Sequence, residues 1–330
     1  MSNAPPTTAA DAAASRSAWA SYWRSGALHS CATSFRGNYG GAIAEFWRST
    51  FDALQPGDRV LDLATGNGAI AQLVITHRPE ADICCDAVDL APVAPAWLQE
   101  LPAAQRARVC FHGSTAAERL PFEDGRFALV VSQYGLEYTA LAQSVPELRR
   151  VMQPSARAAL LAHHVEARPV TLARDEVGHI DWLLAPHGLL DAAGTMLPLL
   201  ARAATAEGRA ALAQDAQALQ HRQQFNALQQ ALQRRADGAP CPDVLFEARE
   251  ALAALLDLAA RQGAEVAQAR LPVLRAHLAD SRVRLQDLLR CALDAAAVEA
   301  LAARLGSPRQ AQVQPLHEGP WLMGWAVRIG

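Results

Sequence analysis

The chain has 330 residues, 51% of them hydrophobic and 19% charged, with a net charge of −3. That balance supports a large core, and the absence of a basic stripe with interleaved aromatics argues against nucleic acid as a partner. All 30 basic residues are arginine, which excludes a Walker A phosphate loop, a pyridoxal Schiff base and any Ser–Lys mechanism, because each needs a lysine amine.

In chain order, residues 1–16 are rich in Ala, Ser, Thr and Pro and lack a basic start followed by an apolar run. They are expected to form a disordered lead-in, not a signal peptide. Residues 17–57 predict an N-terminal helical cap. Trp19, Tyr22 and Trp23 share one face, and Ile43, Phe46, Trp47 and Phe51 form a second stripe; both stripes are expected to be core packing. Between them runs a polar, glycine-rich loop from Gly26 to Gly41 that carries His29, Ser30, Cys31 and Tyr39.

Residues 58–167 alternate strand and helix signals. The strands are expected at Val60–Leu63, Ile83–Val88, Arg108–Phe111, Ala128–Ser132 and Ala158–Ala162. Helices are expected at Ala69–Thr76 and Val145–Met152, the latter stopped by Pro154. This pattern implies an α/β fold with a mostly parallel sheet and helices on both faces. Residues 168–295 then turn Ala-, Leu-, Gln- and Arg-rich with helical periodicity, predicting four to six helices with a break at Gly238–Pro242. A last helix, Ala296–Leu305, and two strands, Gln310–Leu316 and Trp321–Ile329, close the chain within residues 296–330. The six cysteines (Cys31, Cys84, Cys85, Cys110, Cys241 and Cys291) form no C-x-x-C pair. No metal site or disulfide framework is expected, and thiols in a reducing compartment make the cytoplasm the expected location. No apolar run suits a membrane span.

The densest signal is Arg59-Val-Leu-Asp-Leu-Ala-Thr-Gly-Asn-Gly-Ala-Ile-Ala71. It reads as a buried strand, a glycine turn at Gly66-Asn67-Gly68 and a helix, a layout that lets backbone N–H groups approach a ligand. Asp62 lies inside the strand, and Asp89 follows the next strand at Ala87-Val88. Taken with Gly113-Ser-Thr-Ala-Ala-Glu-Arg-Leu-Pro-Phe122, Ser132-Gln-Tyr-Gly-Leu-Glu-Tyr138 and Glu147-Leu-Arg-Arg-Val-Met-Gln-Pro154, these residues resemble class I S-adenosylmethionine (SAM)-dependent methyltransferases. The resemblance is to relatives of the ubiquinone and menaquinone C-methyltransferases.

The resemblance implies a Rossmann-like sheet that ends in an antiparallel hairpin, with residues 168–295 as a helical lid inserted between strand five and the last helix. It implies SAM as cofactor, held by Asp62, Ala64, Gly66, Gly68, Asp89 and Leu90, by the backbone of Ala117 and Glu118, and by Ser132 and Tyr39. The carboxylate that the family places on the adenine amino group is absent, since Ser114 or Ala116 stands there. Candidate catalytic residues lie after strands four and five: Tyr134, His163 and His164. His29, Ser30, Cys31 and Tyr39 could cover the cofactor, and His179, Asp181, Trp182 and His187 open the helical insertion. The expected acceptor is a small apolar or amphipathic metabolite, with O-methylation favoured over N- or C-methylation. The insertion's apolar stripes fit either a substrate-selecting lid or a homodimer interface. An NAD(P)-dependent oxidoreductase stays open because G-x-G-x-x-A also fits that fingerprint, as does a SAM-binding protein with chemistry other than methyl transfer.

Overall fold

The computed structural model describes residues 8–30, 37–79 and 82–330. The chain divides into two compact units, residues 1–171 with 287–330, and residues 172–286.

The first unit opens with α1 (Ala9–Arg24). The Thr8 hydroxyl accepts the Asp11 N–H while the Asp11 carboxylate accepts the Thr8 N–H, a reciprocal cap that nucleates the helix. The expectation of a disordered lead-in is corrected for residues 9–16, residues 1–7 lying outside the described residues: an Ala-rich segment behind such a cap has ample helix propensity. Then follow α2 (Gly41–Phe51), β1 (Arg59–Leu63), α3 (Ala69–His77), β2 (Cys84–Val88), α4 (Ala103–Arg106), β3 (Val109–His112), β4 (Phe127–Gln133), α5 (Leu141–Val151) and β5 (Met152–Ala162). β5 starts two residues before Pro154. The proline therefore sits within the strand, and the helix before it runs from Leu141 instead of from Val145.

The second unit holds the helices from α6 (Arg168–Leu184), which enters it at Leu172, through α7 (Leu189–Arg202), α8 (Ala206–Gln214), α9 (Ala216–Asp237), α10 (Asp243–Gln262) and α11 (Ala264–Gln268) to α12 (Leu271–Cys291), whose last residues from Asp287 belong to the first unit. There are seven, more than the four to six expected. Thr205 caps the N–H of Gly208 and Asp215 that of Ala218, so a run that looks continuous in composition is cut by capping side chains. The unit has its own core, including Leu189, Leu197, Leu232, Leu245 and Leu252. The chain returns to the first unit for α13 (Ala295–Gly306), β6 (Ala311–Glu318) and β7 (Trp321–Ile329).

The seven strands form one sheet in the order β3-β2-β1-β4-β5-β7-β6. All neighbours from β3 to β5 are parallel, and β7 is antiparallel to both β5 and β6. Period-2 alternation divides the side chains between two cores. Leu61, Leu63, Leu160 and Val327 pack with the Leu148 and Leu301 side chains of α5 and α13. Val60, Val131, Leu161 and Ala326 pack with the Trp47 and Ile70 side chains of α2 and α3. Burial on both faces is what a parallel sheet requires. The strand order reverses between β1 and β4, which places a crevice outside their carboxyl ends.

Among the described residues, Asp86, Cys110 and His112 bring metal-type donors together. The Asp86 carboxylate there is already engaged by His112 Nε2 at 2.9 Å and by Arg126 at 3.1 Å, an ion-pair cluster at the sheet edge. Among the described residues no single helix is long and apolar enough to cross a membrane.

Candidate active site

At the switch point lies a cavity of about 190 Å³. Its walls come from the carboxyl ends of β1 and β2, the loops after β3 and β4, and α1; they include Ala64, Asp89, Ala117, Tyr134, Trp19 and Trp23. Three non-glycine residues at this edge are left-handed, Ala64 after β1 (φ 54°), Ser114 after β3 (φ 56°) and Tyr134 after β4 (φ 52°). Such conformations cost roughly 1–3 kcal/mol each and persist where the surroundings impose them.

The glycine turn is built for close approach. Gly66 (φ +53°) and Gly68 (φ +80°) are left-handed, and a Cβ on Gly66 would lie 2.5 Å from the Trp23 ring, one on Gly68 2.4 Å from Phe111. Asn67 between them donates to the carbonyls of Trp23 and Ala27 at 2.9 and 2.7 Å, and its own carbonyl accepts from the Trp97 indole at 2.7 Å. Two buried acids brace the turn. Asp62 accepts the Thr65 hydroxyl at 2.5 Å and the Ala71 N–H at 3.2 Å. Asp89 accepts the Gly66 N–H at 2.7 Å on one oxygen and the Ala91 N–H at 2.8 Å on the other. Burial pushes the Asp62 carboxyl up to about 7, against the pull of Thr65 and Ala71 and helped by neighbouring Asp89. Burial also raises Asp89, opposed by the Ala91 and Gly66 N–H groups.

The loop after β3 is pinned from outside. Glu147 accepts the Leu120 N–H at 2.7 Å, and Arg150 bonds Glu147, Asp124 and the carbonyls of Leu120 and Phe122. Thr115 N–H donates to the Asp89 carbonyl at 2.9 Å, and Glu118 accepts the Ala140 N–H at 2.8 Å. The Glu147–Pro154 motif is thus a clamp that presents Thr115, Ala117 and Glu118 to the cavity.

Across the switch point the two histidines after β5 diverge. His163 is buried, with Nδ1 2.8 Å from Glu137 and its ring stacked on Tyr134 at 4.3 Å. His164 stacks on Trp325 at 4.3 Å and accepts the Glu166 N–H at Nδ1; burial holds its imidazole below the usual range, against the opposing pull of Glu166. Tyr134 donates its hydroxyl to the Met323 carbonyl at 3.1 Å.

The residues singled out in the sequence therefore separate. Ala64, Asp89, Leu90, Ala117, Glu118 and Tyr134 line the cavity. Asp62, Gly66 and Gly68 shape the turn beneath it. Ser132 lies outside the lining: its hydroxyl donates to the Leu63 carbonyl at 2.9 Å and accepts the Leu136 N–H at 3.0 Å, tying β4 to β1 and to the 3₁₀ turn Leu136–Tyr138. Tyr39 also lies outside it, stacked on the buried His29 at 4.2 Å. Ser30 is exposed, and Cys31 falls outside the described residues. Within the helical unit, His179 accepts from Arg235, Asp181 pairs with Arg282, Trp182 lies under Arg235, and the His187 N–H caps onto Asp191.

Trp19 and Trp23 correct an expectation. Their stripe lines the cavity instead of filling the core, because the helix face that carries them lies over the glycine turn. Trp19 and Ser15 also donate to Asp287, which no local motif could announce. Nothing local in the Ser132–Tyr138 segment marks Glu137; its burial beside His163 depends on the β4–β5 pairing.

Residues 60–155 match a family model described as a methyltransferase domain. A 117-residue stretch is 38% identical to 2-phytyl-1,4-naphtoquinone methyltransferase of Trichormus variabilis, covering 33% of this chain and 48% of that protein. A 113-residue stretch is 34% identical to demethylmenaquinone methyltransferase of Beutenbergia cavernae, covering 33% and 43%. The chain thus spans about half the length of these curated relatives. Geranyl diphosphate C-methyltransferase of Streptomyces coelicolor overlays on 37% of this chain and 44% of its own, at 17% identity and a TM-score of 0.33.

Proposed function

From the premise that residues 60–155 form a class I SAM methyltransferase domain, we propose that the whole protein transfers the SAM methyl group to a small apolar or amphipathic acceptor, with oxygen favoured over nitrogen or carbon. The observation that carries this is Asp89. It is a buried carboxylate at the end of β2, it lines the cavity, and each of its oxygens is fixed by one backbone N–H. Each oxygen keeps a lone pair for the ribose hydroxyls of SAM. Leu90 and Ala117 offer apolar surface to the adenine, and Ala64 and the glycine turn would hold the methionine end. The donor set fits the cofactor, whereas a cavity of about 190 Å³ falls below the usual ligand range of roughly 300–1,000 Å³. Trp19 and Trp23 account for part of that deficit, and α1 is the element that would yield on binding.

SAM supplies a methyl group already activated by its sulfonium. The protein's share is then position, orientation and exclusion of water, of which alignment is worth roughly 7–11 kcal/mol. His163 is the base candidate and Tyr134 the residue between it and the cavity. The helical unit, residues 172–286, is proposed to select the acceptor, or to pair two copies of the chain. The scattered, unpaired thiols Cys84, Cys85, Cys110, Cys241 and Cys291 support a cytoplasmic location.

The test is calorimetric titration with S-adenosylhomocysteine, with NADH in parallel. Micromolar binding of S-adenosylhomocysteine and none of NADH is expected, and binding of NADH alone would overturn the proposal. Size exclusion of the full chain reports whether it dimerises.

A further inference from the structure

The geometry points to Glu137 and His163 as a built proton-accepting pair, and hence to an acceptor that must lose a proton from oxygen, a phenolic or enolic hydroxyl. This rests on the methyltransferase reading above and adds the acceptor class and a positioning residue.

One carboxylate oxygen of Glu137 takes two donors from the same residue, the His163 backbone N–H at 2.9 Å and ring Nδ1 at 2.8 Å. Glu137 and His163 are 6% and 3% exposed. A carboxylate can only accept, so the short contact at Nδ1 places a proton on that nitrogen. In the neutral imidazole that leaves the lone pair on Nε2. Nε2 has no hydrogen-bond partner among the described residues, and it is not one of the sealed, unpartnered atoms of the fold, unlike Nε2 of His179. A carboxylate that fixes one nitrogen and leaves the other as a base is the arrangement that serves proton abstraction elsewhere in catalysis.

The surroundings suit the charge that forms when Nε2 takes a proton. The Tyr134 ring lies stacked on the imidazole at 4.3 Å and the Tyr138 ring meets it edge-on at 5.8 Å. An aromatic face stabilises a cation beside it. Both tyrosines also line the cavity, so the imidazole stands directly behind that wall. Burial pushes the neighbouring Cys291 thiol up to about 12, which keeps it neutral beside Glu137. The backbone anchors the pair further, as the His163 carbonyl accepts the Leu293 N–H at 2.8 Å and the Leu293 carbonyl accepts the Trp325 indole at 2.9 Å.

In the step itself, with the acceptor oxygen admitted past the Tyr134–Tyr138 wall to within hydrogen-bond reach of Nε2, the acceptor O–H bond breaks and its proton goes to Nε2. The oxygen pair forms the new O–CH3 bond while the C–S bond breaks and its electrons stay on sulfur. The sulfonium charge is lost, and one positive charge appears on His163 beside the Glu137 carboxylate. A carboxylate or thiolate would not need this device, because each attacks without losing a proton.

The test combines a spectroscopic and a kinetic readout. In protein labelled with 15N-histidine, long-range proton–nitrogen spectra are recorded with S-adenosylhomocysteine bound, and His163→Asn assigns the signal. The Nδ1–H tautomer of His163 is expected. Labelled SAM is then offered with a panel of simple phenols and a matched panel of amines. Methylation on phenolic oxygen is expected, with kcat lowered about a hundredfold in His163→Asn and at least about tenfold in Glu137→Gln, within the usual worth of a general base, while KM and S-adenosylhomocysteine affinity stay within about twofold. An Nε2–H tautomer overturns the proposal, as do turnover of amines alone and a His163→Asn enzyme at the parent rate. If no phenol turns over, the tautomer alone decides. Failure of the parent protein to bind S-adenosylhomocysteine strikes the methyltransferase reading instead, and leaves the tautomer result standing.

Discussion

The two sides of the switch point use the same device for different ends. On the β1–β2 side, the buried carboxylates of Asp62 and Asp89 accept backbone N–H groups from the segment Gly66–Ala71 and from Ala91, and so hold a loop. On the β4–β5 side, the buried carboxylate of Glu137 accepts a backbone N–H and a ring nitrogen of the same histidine, and so holds a reactive group. The first side spends Asp62 on shape and leaves Asp89 a lone pair on each oxygen at the cavity wall; the second leaves one nitrogen of His163 for chemistry. A buried carboxylate therefore marks function when it, or what it fixes, still has an unsatisfied face.

The sharpest way to break the first half of that contrast is Gly66→Asp. The left-handed backbone at φ +53° and the Trp23 ring 2.5 Å from the new Cβ both resist the substitution. S-adenosylhomocysteine affinity is expected to fall at least about a hundredfold, or roughly 2.8 kcal/mol, as read by calorimetry with circular dichroism to confirm folding. Affinity within about threefold of the parent would remove the turn from the site.

Asp62 allows a test of shape without touching the cavity. Burial raises its carboxyl from 3.8 to about 7, so the folded state keeps a proton that the unfolded chain releases between those values. The stabilisation from that proton is fully present below the unfolded value and is lost as pH rises towards 7, at about 1.4 kcal/mol for each unit of difference. Asp62→Asn removes the dependence. Relative to the parent, its Tm is expected to rise between about pH 5 and about pH 8 by on the order of 5 °C. A constant difference across that range would show that Asp62 is ionised in the fold.

Ser132→Ala probes the tie between the two sides. It deletes the bonds to the Leu63 carbonyl and the Leu136 N–H and is expected to cost roughly 1–3 kcal/mol in denaturant unfolding, with S-adenosylhomocysteine affinity little changed. A larger effect on binding than on stability would return Ser132 to the cofactor site, where its place in the sequence puts it.

The contrast also explains what could be read from the chain. The β1–β2 side is local: strand, glycine turn and acid occupy a short run, and the order of Asp62, Gly66, Gly68 and Asp89 carries the family resemblance. The alternation of strands and helices followed from the two periodicities, which burial on both sheet faces enforces, and the closing hairpin from two strand candidates around a turn; the strand order is visible only in the structure. Glu137 and His163 lie 26 positions apart and meet only because β4 pairs with β5 in a particular register and a 3₁₀ turn swings Glu137 back. Hydrophobic periodicity showed that Trp19 and Trp23 share a face, but not what that face meets. The short caps that divide the helical unit were hidden because Ala, Leu, Gln and Arg favour helix on either side of them.

The smallest expected effect comes from the anchor of α1, and it bears on which side of the cavity moves. Asp287 accepts Ser15 Oγ and Trp19 Nε1 and pairs with Arg290, so it ties the helix that carries Trp19 and Trp23 to the end of α12. Asp287→Asn keeps an acceptor oxygen and removes the charge, a change worth about 1 kcal/mol. Amide exchange across Ala9–Arg24 is expected to quicken about fivefold, while exchange in β4 and β5 stays as in the parent. S-adenosylhomocysteine affinity should change by no more than about threefold, far less than for Gly66→Asp, because α1 walls the site without supplying the carboxylate that fixes the ligand. Unchanged exchange in α1 would mean that Asn67, which holds the Trp23 and Ala27 carbonyls, anchors the helix by itself, and that the wall belongs to the rigid β1–β2 side.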